Sequence, residues 1–230
     1  VVYTTEGIYV GNIIDSVGEF RIHECSFDTD KATYIADEST DTIFAVCDIC
    51  GKDMGSVMLY SPVNNGATDQ ELVYDGTMKE ARWEYLAGQY TGSDFIDRVV
   101  CPLVYVNVEN GEILSDPPVN VGNYLVALTI DDQTVSIEFP INKIQTYIGD
   151  VTAEVLNDTL NVEDVVLHRT EDMIAGSLVL ADTELQYGTH TYNWRFIPEN
   201  PNYEVTEGTV SITINDTIAP TLSYKIDNGA

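Results

Sequence analysis

"GNYLVALTIDDQTVSIEFPI", residues 122–141, decides the fold. Tyr124, Val126, Leu128 and Ile130 fall on alternate positions, and after Asp131-Asp132 so do Val135, Ile137, Phe139 and Ile141. Side chains two apart on a strand share one face. Two such runs around a short polar turn predict a β-hairpin with one apolar face and one solvated face.

The same device recurs downstream. "YNWRF" places Tyr192, Trp194 and Phe196 on one face, and "TVSITI" places Val210, Ile212 and Ile214. Residues 119–142 and 185–215 therefore follow one plan: a glycine (Gly122, Gly188), an aromatic-led strand, a turn, and a second strand ending in Ile-Asn. Both glycines are expected to adopt a positive φ just ahead of a strand. Turn signals such as "NNG", "YDG", "ENG" and "TEG" separate the runs, and helical spacing is scarce. In "DQELVYDGTMKEARWEYLAG" the Asp75-Gly76 turn predicts two extended segments in place of a helix.

These stretches carry a resemblance. "LVYDGTMKEA" (72–81) followed by "PPVNVGNYLVALTI" resembles the Tyr-Asp-Gly type immunoglobulin-like repeat of large secreted or surface proteins of Gram-positive bacteria. "YGTHTYNWRFIPENPNYEVTEGTVSITI" is similar to a partner module, and "DTIAPTLSYKID" is similar to the connector that launches a further one. The resemblance runs from residue 67 onward and implies stalk or adhesion modules with no catalytic residues to carry over. The expected class is all-β: tandem immunoglobulin-like β-sandwiches behind a small Cys/His-bearing β segment. The expected divisions are 1–66 for that segment, 67–143 and 144–215 for the sandwiches, and 216–230 for a linker to a following module.

Composition agrees with a cored protein. The 230 residues are 44% hydrophobic and 10% aromatic, enough for real cores. There are 38 Asp+Glu against 10 Lys+Arg, a formal charge of −28. Such a field repels nucleic-acid phosphates and anionic lipid headgroups, which excludes nucleic acid as a partner. No apolar run is long enough for a membrane-spanning helix. The opening at Val1 and the ending "SYKIDNGA" read as those of a segment of a longer chain.

The strongest signal for chemistry is "CDICGK", residues 47–52, with "RIHEC" upstream. His23 and Cys25 sit two apart, so on a strand they face one way. With Cys47 and Cys50 they make four His/Cys ligands at zinc-ribbon-like spacing, and Gly51 suits a knuckle turn. One closed structural Zn would hold together a small segment short of apolar residues. Reduced or disulfide-bonded structural cysteines are the alternative. A redox pair fits least, because Gly51 leads into a strand and not a helix.

Cys101 reads as a buried small hydrophobe, and His168 and His190 as satisfied or exposed. Asp28/Asp30, Asp37/Glu38, Asp131/Asp132, Glu163/Asp164 and Glu171/Asp172 read as solvated charge, with no spacing that marks a glycosidase pair or a calcium loop. Lys79 and Lys143 raise an intramolecular amide cross-link, which needs a buried Lys beside an acid. The functional expectation is a non-catalytic stalk, spacer or adhesion region of an exported bacterial surface protein. Its partners would be other modules of the same parent chain and host or cell-wall glycan or protein. The alternative is a carbohydrate-binding accessory module of a larger secreted enzyme, with Trp83, Tyr85, Tyr90 and Tyr105 as a stacking face.

Overall fold

The computed structural model describes residues 32–63, 71–86, 101–221 and 223, together with the backbone of four short strands ahead of them. Those are β1 (Val2–Thr4) paired with β2 (Gly7–Tyr9), and β3 (Ile13–Ile14) paired with β4 (Glu19–Phe20). The chain forms two compact units, Val1–Asn142 and Lys143–Ala230. Among the described residues every longer element is a strand, and no helix is long and apolar enough to cross a membrane.

In unit 1, one antiparallel sheet has the order β5 (Ala32–Asp37), β6 (Thr42–Cys47), β7 (Asp53–Tyr60), β8 (Arg82–Leu86). The other has β10 (Ile113–Leu114), β9 (Leu103–Asn107), β11 (Gly122–Ile130), β12 (Gln133–Ile141). The expected hairpin is β11–β12, in register from Gly122–Ile141 to Ile130–Gln133. Its inward positions are the alternating apolar ones: Val126 and Leu128 are fully buried, and Val135 and Ile141 nearly so. Each such side chain contributes roughly 1.5–3 kcal/mol relative to exposure. Pro140 is tolerated because β12 ends its sheet, where a missing N–H breaks no ladder.

The core of unit 1 crosses the expected boundary at 66/67. Ile43, Ala45, Cys47, Met54 and Val57 lie in one cluster with Tyr105, Val126 and Phe139. Residues 32–60 are thus half of a sandwich-like unit. The apolar face of β11–β12 needs a second sheet to cover it, and β6 and β7 supply that sheet.

In unit 2, β13 (Val151–Val155) pairs with β14 (Val165–Arg169), and β15 (Gly176–Leu180), β16 (Gly188–Pro198) and β17 (Thr206–Ile214) form a second antiparallel sheet. Its core holds Ile148, Leu185, Tyr192, Trp194, Phe196, Val210, Ile212 and Ile214, the predicted alternation among them. Trp194 lies opposite Gly208, where a Cβ would come within 2.3 Å of the indole. Gly122 has φ +157 and Gly188 +96, the latter a conformation that favours glycine. Residues 215–220 carry no strand and are exposed.

Candidate functional site

Cys47 ends β6 and is 1% exposed, its side chain in the unit 1 core; Cys50 is half-buried and packs against that core. The backbone between them closes tightly. The amide of Gly51 donates to Cys47 O at 2.8 Å, and the amide of Cys47 donates to Lys52 O at 2.9 Å. Gly51 has φ +70, which explains the glycine. His23 and Cys25, the other two expected zinc ligands, lie outside the described residues. Among the described residues no group of three or more His, Cys, Asp or Glu side chains is placed to hold a metal.

The same turn is built a second time with no cysteine. Between β9 and β10, "NVENGE" (107–112) bonds Gly111 N to Asn107 O at 2.8 Å and Asn107 N to Glu112 O at 2.9 Å, with Gly111 at φ +72. A four-residue loop with glycine in the left-handed position makes this shape by itself. The knuckle-like form of "CDICGK" therefore carries no information about metal.

Cys101 lies just ahead of β9, not inside a strand, and is buried; burial pushes its thiol pKa up, away from a reactive thiolate. His168 is exposed, with Nε2 3.1 Å from Glu154 Oε2. His190 is half-buried, with Nε2 3.0 Å from Tyr187 O. Asp131 and Asp132 are exposed in the β11–β12 turn.

The described residues of the expected aromatic stacking face are drawn inward. Tyr105 is buried and its hydroxyl accepts the Ala81 amide at 2.9 Å. Trp83 and Tyr85 pack against the core, the Tyr85 ring lying over Gly55, and Tyr90 lies outside the described residues. Tyr124 donates its hydroxyl to Asn120 O at 2.9 Å, a strand-start tyrosine tied to backbone four residues upstream.

Of the two lysines raised for an amide cross-link, Lys79 has an acid beside it. Lys79 is 3% exposed, and its Nζ lies 2.7 Å from Asp75 Oδ2. Asp75 also accepts the Thr77 amide at 2.9 Å and the Thr77 hydroxyl at 2.6 Å. These bonds, that from Lys79 foremost, hold its carboxyl pKa down to about 2. The Lys79 amide donates to Pro118 O, which fixes the lysine's backbone as well. The burial that an amide cross-link requires is thus present at Lys79, whereas Lys143 is exposed. What stands at Lys79 is an ion pair. A turn sequence of Asp, Thr and Lys at alternate positions reads as surface, so its burial had no signal in the sequence.

The cavities among the described residues of unit 1 open to solvent. The groove of about 480 Å³ beside β10 is lined by Asn107, Glu112, Ser115, Asp116, Asn120 and Tyr124; in it the Ser115 hydroxyl donates to Asp116 Oδ2 at 2.7 Å, with no histidine in the lining. Comparison with protein-family models, with curated proteins and with solved structures returned no match.

Proposed function

We propose that this chain is a non-catalytic spacer or adhesion region of an exported bacterial surface protein, made of tandem immunoglobulin-like modules. The observation that carries the reading is the repeated hairpin. β11–β12 and β16–β17 follow one plan, and each builds the core of a separate unit. The Tyr124–Asn120 bond adds support, because a tyrosine tied back to upstream backbone at a strand start is a hallmark of immunoglobulin-like sandwiches. Carboxylates in large excess keep such a surface solvated and mutually repelling, as suits a chain held away from a cell.

The carbohydrate-binding alternative needs an exposed aromatic face, and the burial of Tyr105 with the inward packing of Trp83 and Tyr85 weighs against it. The zinc reading rests on His23 and Cys25 joining Cys47 and Cys50. Elemental analysis of chelator-free protein decides it: one zinc per chain, lost in Cys50→Ser, supports it, and no metal removes it. For the spacer reading, intact producing cells are labelled with an antibody raised against this region. Labelling without lysis is expected; labelling only after lysis overturns it.

A further inference from the structure

We infer that unit 2 carries N-linked sugar at Asn157 and Asn215, two acceptor sites that the fold brings together. The inference rests on export, which the spacer reading supplies, and goes beyond that reading by naming a covalent modification.

Both asparagines head the same triplet, Asn157-Asp158-Thr159 and Asn215-Asp216-Thr217. Asn-x-Thr without a central proline is the acceptor pattern for N-linked sugar on exposed loops of exported proteins. The chain has no other Asn-x-Ser or Asn-x-Thr triplet. The first lies in the bend after β13, the second just after β17, and both asparagines are exposed. The structure joins them. Asp158 Oδ1 accepts the Asn215 amide at 3.2 Å and Asn215 Nδ2 at 3.3 Å, so the middle residue of one triplet holds the asparagine of the other.

These bonds are compatible with the sugar. A side-chain amide has two N–H donors. Asn157 Nδ2 donates to Asp164 Oδ1 at 3.0 Å, and Asn215 Nδ2 to Asp158. Substitution at the nitrogen removes one N–H and leaves one, which keeps each bond available. The residues beside the acceptors also need cover. Leu156, directly before Asn157, is 55% exposed; Leu160 and Ile218, directly after the two threonines, are 44% and 71% exposed. A bulky, hydrated sugar at each asparagine shields such side chains from other proteins.

In the transfer, Asn Nδ2 attacks the anomeric carbon of a lipid-linked oligosaccharide at an exporting membrane. The N–C1 bond forms, and the C1–O bond to the lipid diphosphate breaks with its electron pair on the diphosphate. One Nδ2 proton passes to a base of the transferase, and no oxidant or reductant takes part. The hydroxyl at the third position is what the transferase recognises, so Thr159 and Thr217 are required and their asparagines alone do not suffice.

The test is peptide mass analysis of the full chain isolated from the surface of producing cells. The peptides holding Asn157 and Asn215 are each expected to be heavier by at least one sugar residue, linked at the asparagine. Thr217→Ala should abolish the increment at Asn215 and leave that at Asn157. Thr159→Ala should do the reverse, and Thr159→Ser, which keeps a hydroxyl for Asp164, should retain both. An unmodified asparagine in either wild-type peptide, or an increment at Asn215 that persists in Thr217→Ala, overturns the inference. With the chain still labelled on intact cells, that result leaves the spacer reading standing. A chain found only inside the cells overturns both.

Discussion

The two units close the same hairpin by different chemistry. In unit 1, Tyr74 donates its amide to Asn142 O at 2.9 Å and Asn142 donates to Leu72 O at 2.8 Å, a short parallel bridge at the end of β12. Directly after it comes the Asp75–Lys79 ion pair, with the ammonium out of solvent. In unit 2 the parallel pairing, between Ile144 and Tyr203, is longer and is secured by the neutral hydroxyls of Thr146 and Thr206. A buried charge raises what is lost when its partner is removed, whereas hydroxyl bonds contribute modestly and are indifferent to pH. The difference makes the closure of unit 1 acid-sensitive and the closure of unit 2 insensitive.

The largest effects are of similar size, the first from breaking the charged closure. Asp75→Ala leaves Lys79 buried without that carboxylate and is expected to destabilise unit 1 by about 2 kcal/mol, less than a fully buried pair because Asp75 is exposed to solvent. Chemical denaturation followed by tryptophan emission measures it, since Trp83 reports unit 1 and Trp194 unit 2. Next is the tightest contact of unit 2. Gly208→Val drives a side chain into the Trp194 indole and should cost about 2 kcal/mol in unit 2 alone. A loss spread over both reporters would deny that the cores are separate.

The paired turns give a smaller and sharper test. Gly51→Ala and Gly111→Ala each place a Cβ at positive φ in open surroundings, so each should cost about 1 kcal/mol, and equally. Zinc held by the Cys47 turn would break that equality, with the Gly51 cost alone responding to a chelator. The corner bond should register last: Tyr124→Phe removes the donor to Asn120 O, for a loss of about 1 kcal/mol or less by urea midpoint.

The pH dependence follows from the sign of the Asp75 shift. Its folded pKa, about 2, is below the unfolded value near 3.9. The stabilisation is whole above about pH 4 and is lost as pH falls from there towards 2. The midpoint difference between wild type and Asp75→Asn should shrink across that interval and be constant from pH 5 to 8.

The hairpins were legible because alternation over eight or nine residues has one reading. Tyr124 to Ile130 and Val135 to Ile141 face the core as their spacing requires. Sequence could not show what would cover that face. β7 is buried on both sides over Met54–Val57, but Gly55 and Ser56 stand at two of those positions, so it does not read as a core strand. Residues up to 66 therefore looked short of apolar residues and separable. The polar closures were illegible for a related reason. Lys79, Thr146 and Asn202 are residue types that belong at surfaces, and their burial follows from partners that only the fold brings near.

The most direct test of two separately cored, separately closed units is denaturant unfolding of the full chain, wild type against Asp75→Ala, followed at both tryptophans. Two transitions are predicted, with the Trp83 transition moved to lower denaturant by the substitution and the Trp194 transition unmoved. A single transition that shifts as a whole would contradict the account.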